Sequence, residues 1–107
     1  MTPAGRPHDE LQQIPGVGPS LAADLRLLGV TRVADLCGRD PEGLYADLEG
    51  LMGAHVDRCV LYVFRSAVYW AGTSAPDPEL SLWWSWKDGG EAERRGLMPP
   101  ARRAATT

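Results

Sequence analysis

The run Ile14-Pro15-Gly16-Val17-Gly18-Pro19-Ser20 brings together residue types that can hold an anion on backbone amides. Gly16 and Gly18 permit the positive φ and the close backbone approach that a tight turn between two helices demands. Pro19 suits the first position of the second helix, where a missing N–H costs nothing. The amides of Gly18 and Ser20 then face outward at a helix start, and phosphate is the anion such a start most often takes. Ile14 and Val17 are apolar and can pin the turn to a core. The candidate phosphate contacts are therefore Pro15, Gly16, Val17, Gly18 and Ser20, with Arg26 on the helix beyond them as a flanking contact.

A second set lies further along. Arg58, Tyr62, Arg65 and Tyr69 are spaced four, three and four residues apart, which places them along one line of a helix. Guanidinium groups there could pair with phosphates while the phenols stack on bases. The same line could instead be a packing surface for the cluster Trp83, Trp84 and Trp86, with Lys87 beside it and ion pairs to Asp57 or Asp88. The tryptophans have the matching pair of readings, an exposed aromatic platform or the closure of a small core. A protein–protein adaptor using this Tyr/Arg/Trp face is the alternative to nucleic-acid binding.

Other chemistry lacks its partners. His55 and Cys59 are four apart and would share one helix face, yet zinc wants a third and a fourth ligand, so no metal centre is expected. Cys37 and Cys59 read as reduced core thiols. The acidic residues cluster at helix starts, where capping explains them, and no nucleophile has a base beside it. A non-enzymatic protein with no catalytic residue is the expectation.

These side chains need helices to position them, and the sequence supplies the grammar. Residues 1–8 carry two prolines and a glycine without periodicity and read as a disordered lead-in. Asp9 caps a short first helix through Gln13, and a second runs from Pro19 to Leu28 until Gly29 ends it. Thr31 caps a third, with Val33, Leu36 and Cys37 facing inward. Asp40-Pro41-Glu42 opens a fourth whose apolar face is Leu44, Leu48, Leu51 and Met52. The longest helix spans about His55 to Ala71 and is apolar over most of its circumference, so it is expected to be buried on several sides. Asp77-Pro78-Glu79 then leads into the tryptophan cluster, and residues 89–107 read as a disordered, locally basic tail. The expected architecture is all-α, a compact bundle of five or six short helices over residues 9–88.

With 107 residues, 44% of them hydrophobic and 23% charged, the chain has the composition of one soluble domain. It has neither a signal-peptide profile nor an apolar run long enough to span a bilayer, which points to the cytoplasm and away from membranes. Net charge is −3, and between Leu11 and Asp88 six basic residues face ten acidic ones. Affinity for DNA comes largely from neutralised phosphates, so the charge balance predicts weak binding.

The glycine turn resembles the helix-hairpin-helix DNA-binding motif: apolar-Pro-Gly-apolar-Gly-Pro, a basic or small residue, then Ala and Leu in the second helix. Ile14 to Pro19 match throughout, and Ala22 and Leu25 fall where the two helices pack. The resemblance implies that the turn's amides hold a DNA phosphate without reading sequence, with a monovalent cation on the turn's carbonyls. One position departs: Ser20 stands where Lys or Arg is usual, keeping a hydrogen-bond donor and losing the charge. Taken with the run from Asp57 to Arg65, with Ala67-Val68-Tyr69 and with Trp83-Trp84-Ser85-Trp86-Lys87-Asp88, the chain resembles the pathogenicity-locus family. These are small bacterial helix-hairpin-helix proteins, many of which carry a mitomycin-resistance label. The likeness covers about Leu11 to Asp88 and is most specific at its tryptophan-rich end. It implies sequence-independent DNA binding linked to DNA damage or mitomycin resistance, and no reaction.

Overall fold

Helix punctuation in the sequence sets the element order. The structure, a computed structural model, describes residues 10–97. A 3-10 turn at Glu10–Gln13 leads through residues 14–18 into α1 (Pro19–Leu27). Gly29 stops α1 at φ +88°, with its amide on the Arg26 carbonyl and the Val30 amide reaching back to Leu25 at 2.9 Å. This is the Schellman closure, and it puts the fully buried Leu25 and Val30 into the same core.

A second 3-10 turn, Val33–Leu36, follows, but Thr31 does not cap it as expected. The Asp35 carboxylate instead accepts the amides of Thr31 and Arg32 and the Thr31 hydroxyl. Those amide bonds, Thr31's first, hold the Asp35 carboxyl below its ordinary range. Glu10 accepts the Val33 amide at 3.0 Å and so ties the chain's first described turn to this one.

In α2 (Pro41–Met52) Asp40 caps the Glu42 amide at 3.1 Å, Pro41 sits in the first turn, and Gly53 at φ +66° closes the end. Leu44, Tyr45 and Leu48 are buried, whereas Leu51 and Met52, expected on the same face, are exposed. Next comes α3 (Arg58–Ala71), three residues shorter at its start than the sequence suggests. Asp57 caps it through the Cys59 amide at 2.8 Å. The chain before it is drawn back to α2: Glu49 takes the Val56 amide and the His55 ring, and the Tyr45 hydroxyl donates to the Val56 carbonyl.

Six of the residues of α3 are buried, from Leu61 to Ala67 without Tyr62, and it is the mast of the molecule. It packs on α2, on the Val33–Leu36 turn and on two further 3-10 turns, Glu79–Ser81 and Trp83–Trp86. A short α4 (Glu91–Arg94) lies against the last of these. The core is one cluster from Leu11 to Ala67, with a smaller one of Leu80, Trp86 and Ala92 against Tyr69.

Among the described residues the fold is helical with no strand: four α-helices and four 3-10 turns stand where five or six helices were expected. Segments of three or four residues between prolines and glycines are too short for α-helical bonding to propagate, so they settle as 3-10 turns. The expected lead-in, residues 1–8, and residues 98–107 of the expected tail lie outside the described residues. Residues 89–97 of that expected tail are described and make contacts with the rest of the fold. Ala92 is fully buried, the Leu97 amide bonds the Ala92 carbonyl, and Arg95 pairs with Asp77, Glu79 and Glu91.

Candidate functional site

The glycine stretch forms a type II turn. The Val17 amide donates to the Ile14 carbonyl at 3.0 Å around Pro15 and Gly16, the latter at φ +88°. Ile14 and Val17 are buried, so Val17 offers the site only its backbone. Gly18 is the N-cap of α1 in an extended conformation, φ −96° and ψ −171°, so the positive φ expected of both glycines occurs at Gly16 alone. A Cβ at Gly18 would meet nothing within 4 Å. No side chain caps α1, and no acceptor among the described residues takes the amides of Gly18, Ser20 or Leu21. Gly18 and Ser20 are exposed. Arg26 lies in the last turn of α1, roughly 9 Å of helix rise from Ser20, and so stands at the far end from these amides.

Gly16 also marks where the two predicted sets meet. A Cβ there would stand 3.5 Å from Trp83 Cδ1 and 3.8 Å from Val63 Cγ1. The indole of Trp83 therefore stands beside the turn, a contact that no local sequence pattern encodes.

The Arg58, Tyr62, Arg65, Tyr69 line is occupied from within the chain. Arg65, its side chain 1% exposed, donates from Nε and Nη2 to Glu42 Oε2 at 2.9 and 2.7 Å. Its Nη1 reaches the Trp86 carbonyl at 2.8 Å and Asp88 Oδ1 at 3.1 Å. Arg58 donates to the other oxygen of Asp88 at 2.9 Å. Both guanidinium groups stand over the Tyr62 ring, 6.0 and 5.7 Å from its centre. The Arg58 bond first, then Arg65, holds the Asp88 carboxyl below its usual range, and Asp88 in turn raises Arg58. Tyr69 packs on Trp86 at 5.2 Å between ring centres, and its hydroxyl accepts the Asp77 amide. Glu42, which reads in sequence as a first-turn acid, is thus also the carboxylate that anchors the buried arginine. Nothing local marks that role, since its partner lies 23 residues away.

The tryptophans divide by position. Trp86 is buried, with its indole N–H on the Leu80 carbonyl at 2.8 Å, and Trp83 is half-buried. Trp84 and Lys87 are exposed. Neither cysteine is a core residue: Cys37 and Cys59 are both exposed, and desolvation ahead of Asp57 pushes the Cys59 thiol up. His55 precedes α3 and pairs with Glu49, so His55 and Cys59 do not share a helix face. Among the described residues no three His, Cys, Asp or Glu side chains are placed to hold a metal, and no helix is long and apolar enough to cross a membrane.

Residues 6–92 match the profile of the family described as Pathogenicity locus. Mitomycin resistance protein McrB of Streptomyces lavendulae is 32% identical over 89 residues, which span 83% of this chain and 77% of that protein. No solved structure matches.

Proposed function

The chain belongs to the pathogenicity-locus family, and from that premise we propose that it is a non-enzymatic DNA-binding protein. Its glycine turn and the start of α1 act as a helix-hairpin-helix element that holds a backbone phosphate without reading sequence. The observation that carries this reading is the uncapped start of α1, whose Gly18, Ser20 and Leu21 amides have no acceptor among the described residues. A phosphate supplies the missing acceptors together with the negative charge that a helix start favours. The type II turn sets the angle of approach, and the Ser20 hydroxyl adds a donor. The Ile14 carbonyl accepts the Val17 amide, and the phosphate contact rests on the N–H groups and the Ser20 hydroxyl. The mitomycin resistance in the relative's name suits this reading, because a protein that engages any DNA backbone can serve at a damaged site whatever its sequence.

Of the face that the adaptor alternative would use, Arg65 and Trp86 are buried and Tyr62 and Tyr69 carry intramolecular partners, whereas Arg58, Trp84 and Lys87 are exposed. The test is fluorescence anisotropy on labelled duplex at low and rising salt. Wild type is compared with Gly18→Asp and with an Arg102→Ala/Arg103→Ala double variant. Binding that falls with salt, survives the double variant and drops at least tenfold in Gly18→Asp is expected. Unchanged affinity in Gly18→Asp rejects the turn as the site, and loss in the double variant moves the contact to those arginines.

A further inference from the structure

The Trp83–Trp86 turn has an outer face that the phosphate contact leaves unused. Side chains at i and i+3 of a 3-10 helix share a face. Trp83 and Trp86 form the inner pair, one over Gly16 and Val63, the other under Tyr69. Trp84 and Lys87, the extended C-cap of the turn, are both exposed, and the Lys87 amide donates to the Trp84 carbonyl. Trp84 is 50% exposed and stands edge-on to Trp83, 5.6 Å between ring centres at 83°. Among the described residues Lys87 has no ion-pair partner, whereas Arg58, Arg65, Arg94 and Arg95 are all engaged with carboxylates.

A bare indole with an unpaired ammonium one turn away fits a ligand that is flat and apolar on one side and anionic on the other. A nucleotide is such a ligand. Trp83, edge-on to Trp84, also stands beside Gly16, two residues before the N-cap of α1. We propose that Trp84 stacks on an unpaired base while Lys87 meets its phosphate, which makes the protein a binder of single-stranded DNA at a tail, gap or fork. The inference rests on the DNA reading above and narrows it. Bases inside an intact duplex present no open face, so Trp84 has nothing to stack on there, while an unstacked base of any sequence serves.

The experiment uses the full chain with three labelled DNAs: a blunt duplex, the same duplex with a single-stranded overhang, and oligo(dT). Wild type is expected to bind the overhang about fivefold or more tighter than the blunt end. Trp84→Ala removes that preference and weakens oligo(dT) binding by about tenfold, the worth of one stacked base, while blunt-duplex affinity stays within about twofold. Trp84→Phe restores most of the loss, and Lys87→Gln flattens the salt dependence on oligo(dT). Trp84 is exposed, so these variants keep the fold. Wild type that binds blunt and overhanging duplex equally, with Trp84→Ala silent, overturns this inference and leaves the phosphate reading standing. Equal losses on all three DNAs in Trp84→Ala overturn it as well. Failure of wild type to bind any of the three overturns both.

Discussion

Arg65 uses all three of its guanidinium nitrogens inside the protein. Two nitrogens go to Glu42 on α2, and a third to the Trp86 carbonyl and Asp88 beyond the tryptophan turn. A buried guanidinium is tolerated only with such satisfaction, and its removal strands a half-buried carboxylate and a buried carbonyl. Arg65→Ala is expected to lower unfolding free energy by about 2–4 kcal/mol in urea denaturation. Arg65→Lys should recover less than half, since one ammonium cannot reach in both directions. A loss below about 0.5 kcal/mol in Arg65→Ala would remove the hub from the account. In the sequence this residue stands in an Arg/Tyr alternation that reads equally as a ligand face or a packing face. Its carboxylate partners, more than twenty residues away on either side, decide between the two. The turn glycines separate in the same manner. Gly16→Ala places a Cβ at φ +88° and should cost about 1–2 kcal/mol. Gly18→Asp enters open space at an ordinary φ, where a carboxylate is a preferred cap. The proposed DNA contact should therefore vanish in Gly18→Asp while thermal stability holds or rises, an opposition that general misfolding cannot imitate.

At the scale of elements, what was legible was punctuation. Asp40-Pro41 opens α2 and Gly29 closes α1, each through a local hydrogen bond that the residue type announces, whereas Asp57, the cap of α3, reads in the sequence as lying inside that helix. The segment from Trp83 to Leu97 was not legible in this way. Its 3-10 phase decides which indoles face inward, and two competing periodicities fit the same letters. The four-residue α4 has a single buried side chain, Ala92, and is held by Arg95 and Glu91 rather than by an apolar stripe. Gly90 reveals how tightly the segment is folded back. A Cβ there would stand 2.8 Å from the Ser85 carbonyl oxygen and 2.9 Å from that of Lys87, both backbone atoms that cannot swing aside. Gly90→Ala is expected to cost about 1–3 kcal/mol by overpacking and to speed hydrogen exchange in residues 83–97 more than in α2. Uniform acceleration across the molecule would show that this segment is not a separate layer. The same compactness rules out residue 90 as a place to cut the chain, since truncation there exposes Trp86 and Tyr69.

For the molecule as a whole, charge bears on stability and on the proposed DNA contact. With a net charge of −3 and Arg58, Arg65, Arg94 and Arg95 paired internally, the proposed contact is expected to involve only one or two phosphates. The logarithm of affinity should accordingly fall against log salt with a slope of about −1 to −2. A slope steeper than about −4 would mean that other cations carry the contact. The internal pairing also sets the response to acid. Asp35, Glu49, Asp57, Asp77, Asp88 and Glu91 all have carboxyls lowered by the amides or guanidinium groups they accept from. A carboxyl whose folded pKa lies below its unfolded one binds more protons when unfolded. Its stabilisation is therefore complete above the ordinary carboxylate range and is lost as pH falls through the lowered value. Stability should be flat from pH 7 to about pH 5 and fall steeply below about pH 4. Asp88 makes the loss cooperative, because its protonation releases Arg58 and one arm of Arg65 together. In Asp88→Asn the acid limb of a denaturation-midpoint profile should be shallower than in wild type, with a lower plateau at pH 7. Superimposable acid limbs would place the acid sensitivity in the helix caps instead, at Asp35, Asp57 and Asp77, whose ties are to backbone amides and survive the loss of Asp88.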